Sequence, residues 1–400
     1  MSFSAAVSFL TIWRNVWPVL VAILVFIIII MIHEFGHFLF AKLFGVQVNE
    51  FAVGFGPSLL KKKKGETMYS IKAIPFGGYC AMEGEDAQSD NPRAFNRKSV
   101  PRKMVIIVGG AAFNLILGFL LVFGVTVSES TYASLTVADY ETEIDSPTTN
   151  EFLQPGDKIL EIGGRKLYTY SEISYMLALT KDGVADMTVL RDGKKAELQN
   201  VQFPKAISCE NPDCKTESKH YPDEYYRTRI YLTKEQFDDR DILCPVCGTV
   251  NKDPQKYTVV DFRVKGFHRT FFNVFTQSFK ETVSTARTVW MSLFDMITGK
   301  FGLSEVSGPV GVVKIVSQAA AVDVRSLMSI MALITINLGI FNLLPIPALD
   351  GGRLIFLIVE GIRRKPVPQK YEGLVHGIGF AALIVFIVLI TGKDIIGLFK

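Results

Sequence analysis

Two histidines and a glutamate lie close together inside a long apolar segment. The residues His33-Glu34-Phe35-Gly36-His37 fit the pattern H-E-x-x-H. Residues four apart lie on one face of a helix, so both imidazoles can reach a single metal ion. Glu34 lies one step around the helix from His33 and can hold a water at that ion. Because the chain has only 5 histidines, this spacing is rarely met by chance and predicts a metal site.

The location of this motif strengthens the prediction. Apolar runs predict two clear membrane spans, from Pro18 to Ala41 and from Met104 to Val127. The motif falls toward the end of the first span. An acid and two imidazoles inside a span are costly unless they face a polar cavity. Two merely satisfied polar residues near a helix end are therefore the weaker interpretation.

A third ligand must come from elsewhere in the chain, because zinc hydrolases usually keep three protein ligands and one open position. His220, His268 and His376 lack acidic or histidine neighbours at ligand spacing. Asp350 is the better candidate, because it follows an apolar stretch that cannot be one continuous helix. The alternative is an aspartate that only caps a helix.

That stretch starts near Leu327, and with its continuation to Ile362 it is too long for one upright span. Pro345 and Pro347 must interrupt it. Interrupted backbone at membrane depth is tolerated only where it is buried in protein or lines a cavity. Running inward from Leu327, the chain reaches the depth of His33 near Asp350. A fourth apolar stretch follows at 373–390.

Composition supports a membrane protein and sets its orientation. The chain is 49% hydrophobic with a mean hydropathy of +0.28, and its net charge of +4 is too weak to indicate nucleic-acid binding. Basic residues concentrate between spans one and two and between spans three and four, so both connections should be cytosolic. The N-terminus, which lacks the pattern of a cleaved signal peptide, and the segment 128–325 should lie outside. Lys61–Lys64 is interpreted as a solvated loop tip.

Residues 48–80 are predicted to form a β-hairpin beside the first span. Met68–Ile74 alternates as a strand should, and Lys64-Gly65-Glu66 supplies a turn. An exposed strand edge can capture an unwound substrate segment by strand addition. The alternative is a plain hairpin that seals the membrane boundary.

The external segment divides into two predicted parts. Leu153–Gly164 resembles the turn and strand of a PDZ domain, and Tyr170–Leu179 is an amphipathic stretch. A PDZ domain binds extended peptide ends at a sheet edge, although a spacer that binds nothing is the alternative. Tyr257–Gly266 is interpreted as a PDZ strand separated from the rest by an insert. The stretch 268–303 is amphipathic and suits the outer membrane surface, a clamp on the substrate path, or core packing.

Four cysteines mark that insert. Cys209 and Cys214 are spaced C-x4-C, and Cys244 and Cys247 are spaced C-x2-C. Two short pairs separated by some thirty residues favour a four-thiolate zinc ribbon with a stabilising role. Disulfides remain open because the insert should lie outside the cell, and free thiols are the third alternative.

These motifs together resemble the site-2 protease family of intramembrane zinc metalloproteases, in particular the bacterial branch that acts on anti-sigma factors. The resemblance rests first on HEFGH in the first span and NLLPIPALDGG at 342–352. Further matches are Phe51–Pro57, Ile74–Tyr79, Gly109–Asn114 and Ser307–Gly311, which cover most of the chain except about 206–250. One departure is an alanine in the segment 109–114 where the family usually has proline, and it puts only local helix packing in doubt.

The resemblance implies His33, His37 and Asp350 as zinc ligands and Glu34 as the catalytic acid/base. It also implies that Asn342 holds substrate or the developing oxyanion. The expected substrates are single-span membrane proteins already trimmed outside, such as anti-sigma factors or signal-peptide remnants. Besides these, the expected partners are the lipid bilayer and a peptide tail at the PDZ-like domain, and the expected metal is one catalytic zinc with a structural zinc in the insert.

The expected fold is an α-helical polytopic inner- or plasma-membrane protein with four transmembrane helices, the third one broken, a membrane-associated β-hairpin, an extracytoplasmic PDZ-like domain and a four-cysteine insert. The predicted boundaries are 1–47 (first span), 48–103 (hairpin and basic loop), 104–129 (second span), 130–205 (PDZ-like domain), 206–250 (four-cysteine insert), 251–326 (end of the PDZ-like domain and clamp-like region), 327–362 (broken third span) and 363–400 (basic loop and fourth span). Two rivals stand beside this prediction. One is a multi-span HExxH peptidase of the prenyl-protein-processing kind, and the other is a non-catalytic PDZ-containing membrane adaptor.

Overall fold

The computed structural model of the chain describes residues 2–85, 87–140, 149, 152–180, 183–211, 213–217, 225–227, 229–300 and 306–398. The chain divides into two units, residues 1–128 with 275–400 and residues 129–274. The helices are α1 Ser2–Leu43, α2 Val100–Ser128, α3 Ser171–Ala178, α4 Phe271–Ile297, α5 Pro309–Val322, α6 Val324–Asn342, α7 Asp350–Arg363 and α8 Gln369–Leu398.

Within the described ranges, 4 helical segments are long and apolar enough to cross a membrane. They are Val16–Leu43, Val100–Ser128, Val324–Asn342 and Lys370–Gly397. Each corresponds to one of the predicted apolar stretches, because uninterrupted apolar runs of this length satisfy their backbone groups within a single helix. The four predicted spans are therefore present.

The first two spans approach each other closely where both lack side chains. A Cβ added at Gly36 would lie 2.2 Å from the carbonyl oxygen of Gly109, and one added at Gly109 would lie 2.6 Å from Phe40. Small residues of this kind allow helix backbones to pack directly in a membrane. The contact places the HEFGH face of α1 against α2.

The third span is broken as the prolines predict. Helix α6 ends at Asn342 and α7 begins at Asp350, with Pro345 and Pro347 in the turn between them. One element was not predicted: the short apolar helix α5 precedes α6, and its Val316 is buried against Ala22 and Val25 of α1. At 14 residues α5 is too short to span a membrane alone.

The predicted hairpin is present but is more elaborate than a two-stranded ribbon. Strands β1 Val48–Lys64 and β2 Thr67–Met82 each bend back on themselves. Residues 68–71 pair with 60–63 on one side and with 50–53 on the other, and residues 50–53 also pair with 78–81. The glycine at 54 permits this bend, since its φ is +80° and a Cβ there would lie 2.3 Å from the Ile74 oxygen. The result is four paired segments.

The second unit is built on a sheet whose strands follow the order β15-β3-β4-β6-β7, with β5 paired to β4. Its strands are β3 Thr131–Tyr140, β4 Lys158–Ile162, β5 Arg165–Lys166, β6 Val184–Arg191, β7 Lys194–Gln202 and β15 Phe262–His268. The apolar residues Ile159, Ile162 and Val189 are buried together with Ile173 and Leu177 of α3. The predicted amphipathic stretch at 170–179 thus corresponds to the helix that covers this sheet.

A set of shorter strands lies between β7 and β15. They are β8 Lys205–Ser208, β9 Lys215–Glu217, β10 Tyr225–Arg227, β11 Arg229–Leu232, β12 Asp241–Leu243, β13 Val250–Lys252 and β14 Tyr257–Thr258. Strand β14 pairs with β8, whereas β15 pairs with β3. The predicted strand at 257–266 is therefore split, with its first residues in the insert sheet and the remainder in the larger sheet. Positions 212, 218–224 and 228 of the predicted insert, and 301–305 of the clamp-like region, lie outside the described residues.

Candidate metal centre

Three electron-rich atoms converge at the break in the third span. The Nε2 atoms of His33 and His37 lie 3.2 Å apart. The Asp350 Oδ2 atom lies 3.3 Å from the first and 3.2 Å from the second. Ligand atoms around a tetrahedral zinc ion with bonds near 2.0–2.1 Å are about 3.3 Å apart. The three side chains therefore already have the spacing that one zinc ion requires.

The other ring nitrogen of His37 fixes which atom can bind metal. His37 Nδ1 lies 2.9 Å from the carbonyl oxygen of Ile106 on α2. A carbonyl oxygen only accepts, so Nδ1 carries the proton and Nε2 of the neutral ring presents a lone pair to the cluster. Asp350 Oδ2 is buried and receives no hydrogen bond from the described residues. A buried acceptor without a donor, facing an imidazole lone pair, fits a bound cation.

Asn114 ends the motif Gly109–Asn114, to which the sequence assigns no function. Its side-chain nitrogen lies 3.2 Å from His33 Nδ1, and its Oδ1 is buried with no partner among the described residues. The two ends of an amide are nearly isosteric, so turning it over lets Oδ1 accept from His33 Nδ1–H. Asn114 then orients His33 as Ile106 orients His37. A polar residue in the middle of a span was the signal that could have found it.

Gly110 of α2 is the second residue that sequence reasoning missed. A Cβ added there would lie 2.3 Å from His37 Nε2 and 2.7 Å from His33 Cε1. The absence of a side chain at 110 is therefore what leaves room for both imidazoles. Gly110 belongs to the quoted motif Gly109–Asn114, but only the helix crossing shows why a larger residue does not fit.

Replacing Gly110 with Ala is expected to weaken zinc binding by at least about 10-fold, by analogy with changes around ligated histidines. The added methyl must displace one or both imidazoles. Zinc content after titration with a chelator is the measurement. Gly377→Ala is the matched control, because a Cβ there meets nothing within 4 Å. Equal zinc retention by Gly110→Ala and Gly377→Ala would contradict this account of the site.

Asp350 is delivered to the cluster by close backbone packing. Gly351 and Gly352 follow it in the first turn of α7, and Cβ atoms there would lie 2.1 Å from the Leu344 oxygen and 2.5 Å from the Ile346 oxygen. The glycines let α7 fold tightly onto the turn that precedes it. Further along α7, Glu360 accepts hydrogen bonds at 2.6 and 2.7 Å from the buried Lys103 of α2.

The two predicted catalytic residues lie next to the cluster, and their roles stay predictions. Glu34 is half-buried, and a Cβ added at Gly78 would lie 3.4 Å from its Cγ, so β2 borders this side chain. Asn342 is the last residue of α6, and its side-chain nitrogen lies 3.5 Å from His33 Nε2. Neither residue belongs to the trio of converging ligand atoms.

The four cysteines of the insert form a second cluster. The Sγ atoms of Cys209 and Cys247 are 3.6 Å apart, those of Cys214 and Cys244 are 3.8 Å apart, and all four atoms lie within 4.8 Å of one another. A disulfide would require about 2.05 Å, and the cysteines are free thiols. Hydrogen bonds from Thr249 lower the pKa of Cys247 to about 6, which favours its thiolate at neutral pH.

The remaining histidines lie elsewhere. His268 ends β15, and His376 on α8 accepts a hydrogen bond from the backbone of Ala348. His220 lies outside the described residues. Within the described ranges, two groups of histidine, cysteine or acidic side chains have the spacing to hold a metal ion, and they are the two clusters above.

The chain is similar to known peptidases over most of its length. A family model described as peptidase family M50 matches residues 21–386. A Clostridium acetobutylicum protein named "Putative zinc metalloprotease" is 35% identical, with 94% of this chain and 97% of that protein covered. The Shouchella clausii protein named "Zinc metalloprotease RasP" is 28% identical, with 94% and 98% covered. The predictions of a multi-pass membrane protein and of a peptidase are thereby confirmed, and the chain belongs to peptidase family M50, as its resemblance to the site-2 proteases implies.

Proposed function

We propose that this peptidase uses zinc to hydrolyse peptide bonds within or near the transmembrane segments of single-span membrane proteins. The observation that carries the proposal is the trio of His33, His37 and Asp350 ligand atoms at zinc spacing between apolar helices. The names of the relatives, zinc metalloproteases, support the choice of metal. Substrates of the anti-sigma-factor or signal-peptide class suit a site enclosed by membrane spans.

The residues divide the chemistry between them. His33, His37 and Asp350 would hold the zinc, which when bound polarises a scissile carbonyl and acidifies a water. Glu34, beside His33 on α1, takes the proton of the attacking water and passes it to the leaving amine. Asn342 places an amide N–H near His33 Nε2, where it donates to the developing oxyanion.

Substrate entry is assigned to the edge of the β1–β2 sheet. Residues 78–81 pair with 50–53 and form an outer segment of the sheet within the described residues. Gly78 in that segment borders both Glu34 and Ile30 of α1. A helical substrate must unwind before its carbonyls can be attacked, and an unwound segment can add as a further strand at this edge. Strand addition would place the substrate backbone beside Glu34.

The orientation proposed for the chain follows the basic residues. The sheet segment with Lys61–Lys64 and the α7–α8 connection would be cytosolic, so the site lies toward the cytosolic side. The N-terminus and residues 129–274 would be extracytoplasmic. In that second unit the proposed PDZ-like domain, residues 130–205, filters bulky substrates and receives a trimmed peptide tail.

Helix α4 of the clamp-like region is proposed to rest on the outer membrane surface. Phe271 and Phe272 have exposed fractions of 87% and 74%, and Phe279, Trp290 and Phe294 are also exposed. Aromatic side chains exposed along one face of a helix suit the interface between lipid headgroups and hydrocarbon, while the polar residues Ser278 and Thr282 of α4 are buried. The exposure of this row supports the membrane surface over core packing.

The four-cysteine cluster is proposed to hold a structural zinc. Ligand atoms around a zinc ion with Zn–S bonds near 2.3 Å are about 3.8 Å apart, which matches the two sulfur separations of 3.6 and 3.8 Å. Cys244 and Cys247 lie on the turn between β12 and β13, and the Gly248 N–H donates to the Cys244 oxygen at 2.9 Å. Four thiolates leave no open position, so the role is stabilising.

Serine at both Cys209 and Cys244 is expected to remove one zinc per chain and to lower the stability of the second unit by about 3 kcal/mol or more, because structural zinc contributes directly to folding. Zinc stoichiometry and thermal unfolding are the measurements. Cys80→Ala is the control, since Cys80 is buried among apolar residues of the other unit. Loss of the catalytic zinc alone from the double variant would contradict the assignment.

A single experiment separates this proposal from its rivals. The purified chain is assayed for zinc stoichiometry and for cleavage of a panel of single-span proteins in vesicles. Zinc together with cleavage inside the span supports the proposal. Cleavage only of short prenylated cytosolic peptides would favour the prenyl-protein-processing peptidase. Binding of peptide tails without cleavage would favour the adaptor.

A further inference from the structure

The turn that carries Asp350 contains an unusual backbone conformation. Ala348 has a φ of +78°, in the left-handed region that L side chains rarely adopt. The other non-glycine residues with positive φ in the described ranges each have a local explanation. Asp192, Asn200 and Asp253 are of the types that tolerate it, and Arg364 caps the C-terminus of α7. Ala348 is the third residue of a turn in which the Leu349 N–H donates to the Ile346 oxygen at 3.2 Å, and a positive φ at this position is typical of a type II turn with proline before it. Because an L side chain is disfavoured there, a contact from outside the turn adds to the stability of this conformation.

A side chain of α8 contacts the Ala348 backbone and stabilises this conformation. The backbone N–H of Ala348 donates to His376 Nδ1 at 2.9 Å. A backbone N–H can only donate, so Nδ1 must carry a lone pair, which makes His376 neutral with its proton on Nε2. An amide left without an acceptor at membrane depth is costly. The hydrogen bond therefore favours the conformation in which Ala348 points its N–H at α8.

The same face of α8 receives the preceding proline. Gly379, three residues after His376, faces Pro347 so closely that a Cβ there would lie 2.4 Å from the Pro347 Cβ. Elsewhere α8 is largely exposed. On the opposite side, Gly352 of α7 packs against Pro347, with a Cβ there lying 3.1 Å from its Cα. The Pro347–Ala348 turn is thus held between two helices.

We infer that His376 is a positioning residue for the metal centre: by fixing Ala348 in its left-handed conformation, it sets the direction in which the chain enters α7 and so aims the Asp350 carboxylate at His33 and His37. Ala348 precedes Asp350 by only two residues, so a change in its φ moves the ligand directly. The inference rests on the proposed function, because it takes Asp350 as a zinc ligand.

The test compares acceptors at 376. His376→Leu is expected to weaken zinc retention in a chelator titration by about 10-fold, the lower end for groups that orient metal ligands, and to alter the absorption spectrum of the cobalt-substituted protein. His376→Asn should recover much of the retention, since its Oδ1 can replace Nδ1 as acceptor. Tyr371→Leu is the control on α8, because that side chain is 62% exposed.

A second pair of variants tests the backbone. Ala348→Gly, which relieves the positive φ, should restore part of the zinc retention lost in His376→Leu. Ala348→Val with His376 intact should weaken zinc retention, because a β-branched residue is more strained there. If His376→Leu does not fold, the inference is tested with Ala348→Val instead, and wild-type zinc retention by that variant would contradict it.

The outcomes separate the inference from the proposed function. Asp350→Ala is measured in parallel. If Asp350→Ala loses zinc while His376→Leu retains it like the wild type, or if Asn at 376 is as impaired as Leu, His376 does not position the ligand. If Asp350→Ala itself retains zinc, the proposed metal centre fails first.

Discussion

Replacing Glu34 by Gln is expected to lower the rate of peptide-bond cleavage by roughly 10²–10⁴-fold, the range for loss of a general acid–base, while zinc content stays at the wild-type level. Gln has the shape of Glu but cannot take a proton from water. Glu34 does not supply any of the three converging ligand atoms, so metal binding should not depend on it. Cleavage of a single-span protein in vesicles and zinc analysis of the same sample are the measurements.

The control for this variant is Asp90→Asn, which removes a carboxylate whose side chain is fully exposed, at 102%. It should cleave normally. Wild-type turnover by Glu34→Gln would remove Glu34 from the mechanism. Loss of zinc together with activity would instead show that the glutamate supports the metal site.

Replacing Asp350 by Ala is expected to reduce both zinc affinity and cleavage. In the proposed metal centre the carboxylate supplies one of three ligand atoms, and two imidazoles alone would leave the ion with too few protein ligands. Since changes to groups that merely orient ligands cost 10–100-fold in affinity, loss of a ligand should cost more than about 100-fold. Zinc retention in a chelator titration, compared with Asp90→Ala, is the measurement.

The two variants give different signatures. Glu34→Gln should keep zinc and lose cleavage, whereas Asp350→Ala should lose both. If Asp350→Ala keeps its zinc and its activity, the third ligand is another residue. The position of the Asp350 carboxylate beside the two imidazoles would then not serve metal binding.

Much of this site was open to prediction from the sequence because its signals are local. His33 and His37 share a helix face through a four-residue spacing. Proline in a helix interior kinks or breaks the helix, and the third span breaks where Pro345 and Pro347 predict it. Asp350 could be matched in depth to the histidines by counting residues along two spans.

The contacts that support this site could not be predicted from the sequence. Asn114 lies 81 residues from its partner His33 in the chain, and Gly110 matters only because α1 and α2 cross at glycines. The four-segment pairing of β1 and β2 needs one sheet to bend twice, which alternation of side chains does not encode. The four cysteines could be grouped by spacing, but that their sulfur atoms lie too far apart for disulfides was known only from the structure.

By itself, the sequence determined which segments lie in the membrane, where the third one breaks, and which side chains carry metal-binding chemistry. Those properties follow from hydropathy, proline geometry and spacing within single elements. The tertiary structure alone decided which groups around those side chains accept, donate or leave space: Ile106 and Asn114 beside the imidazoles, Gly110 close to both of them, and His376 at the turn to Asp350. Each of these depends on how helices distant in the chain pack, and packing contacts leave no periodic trace in the sequence.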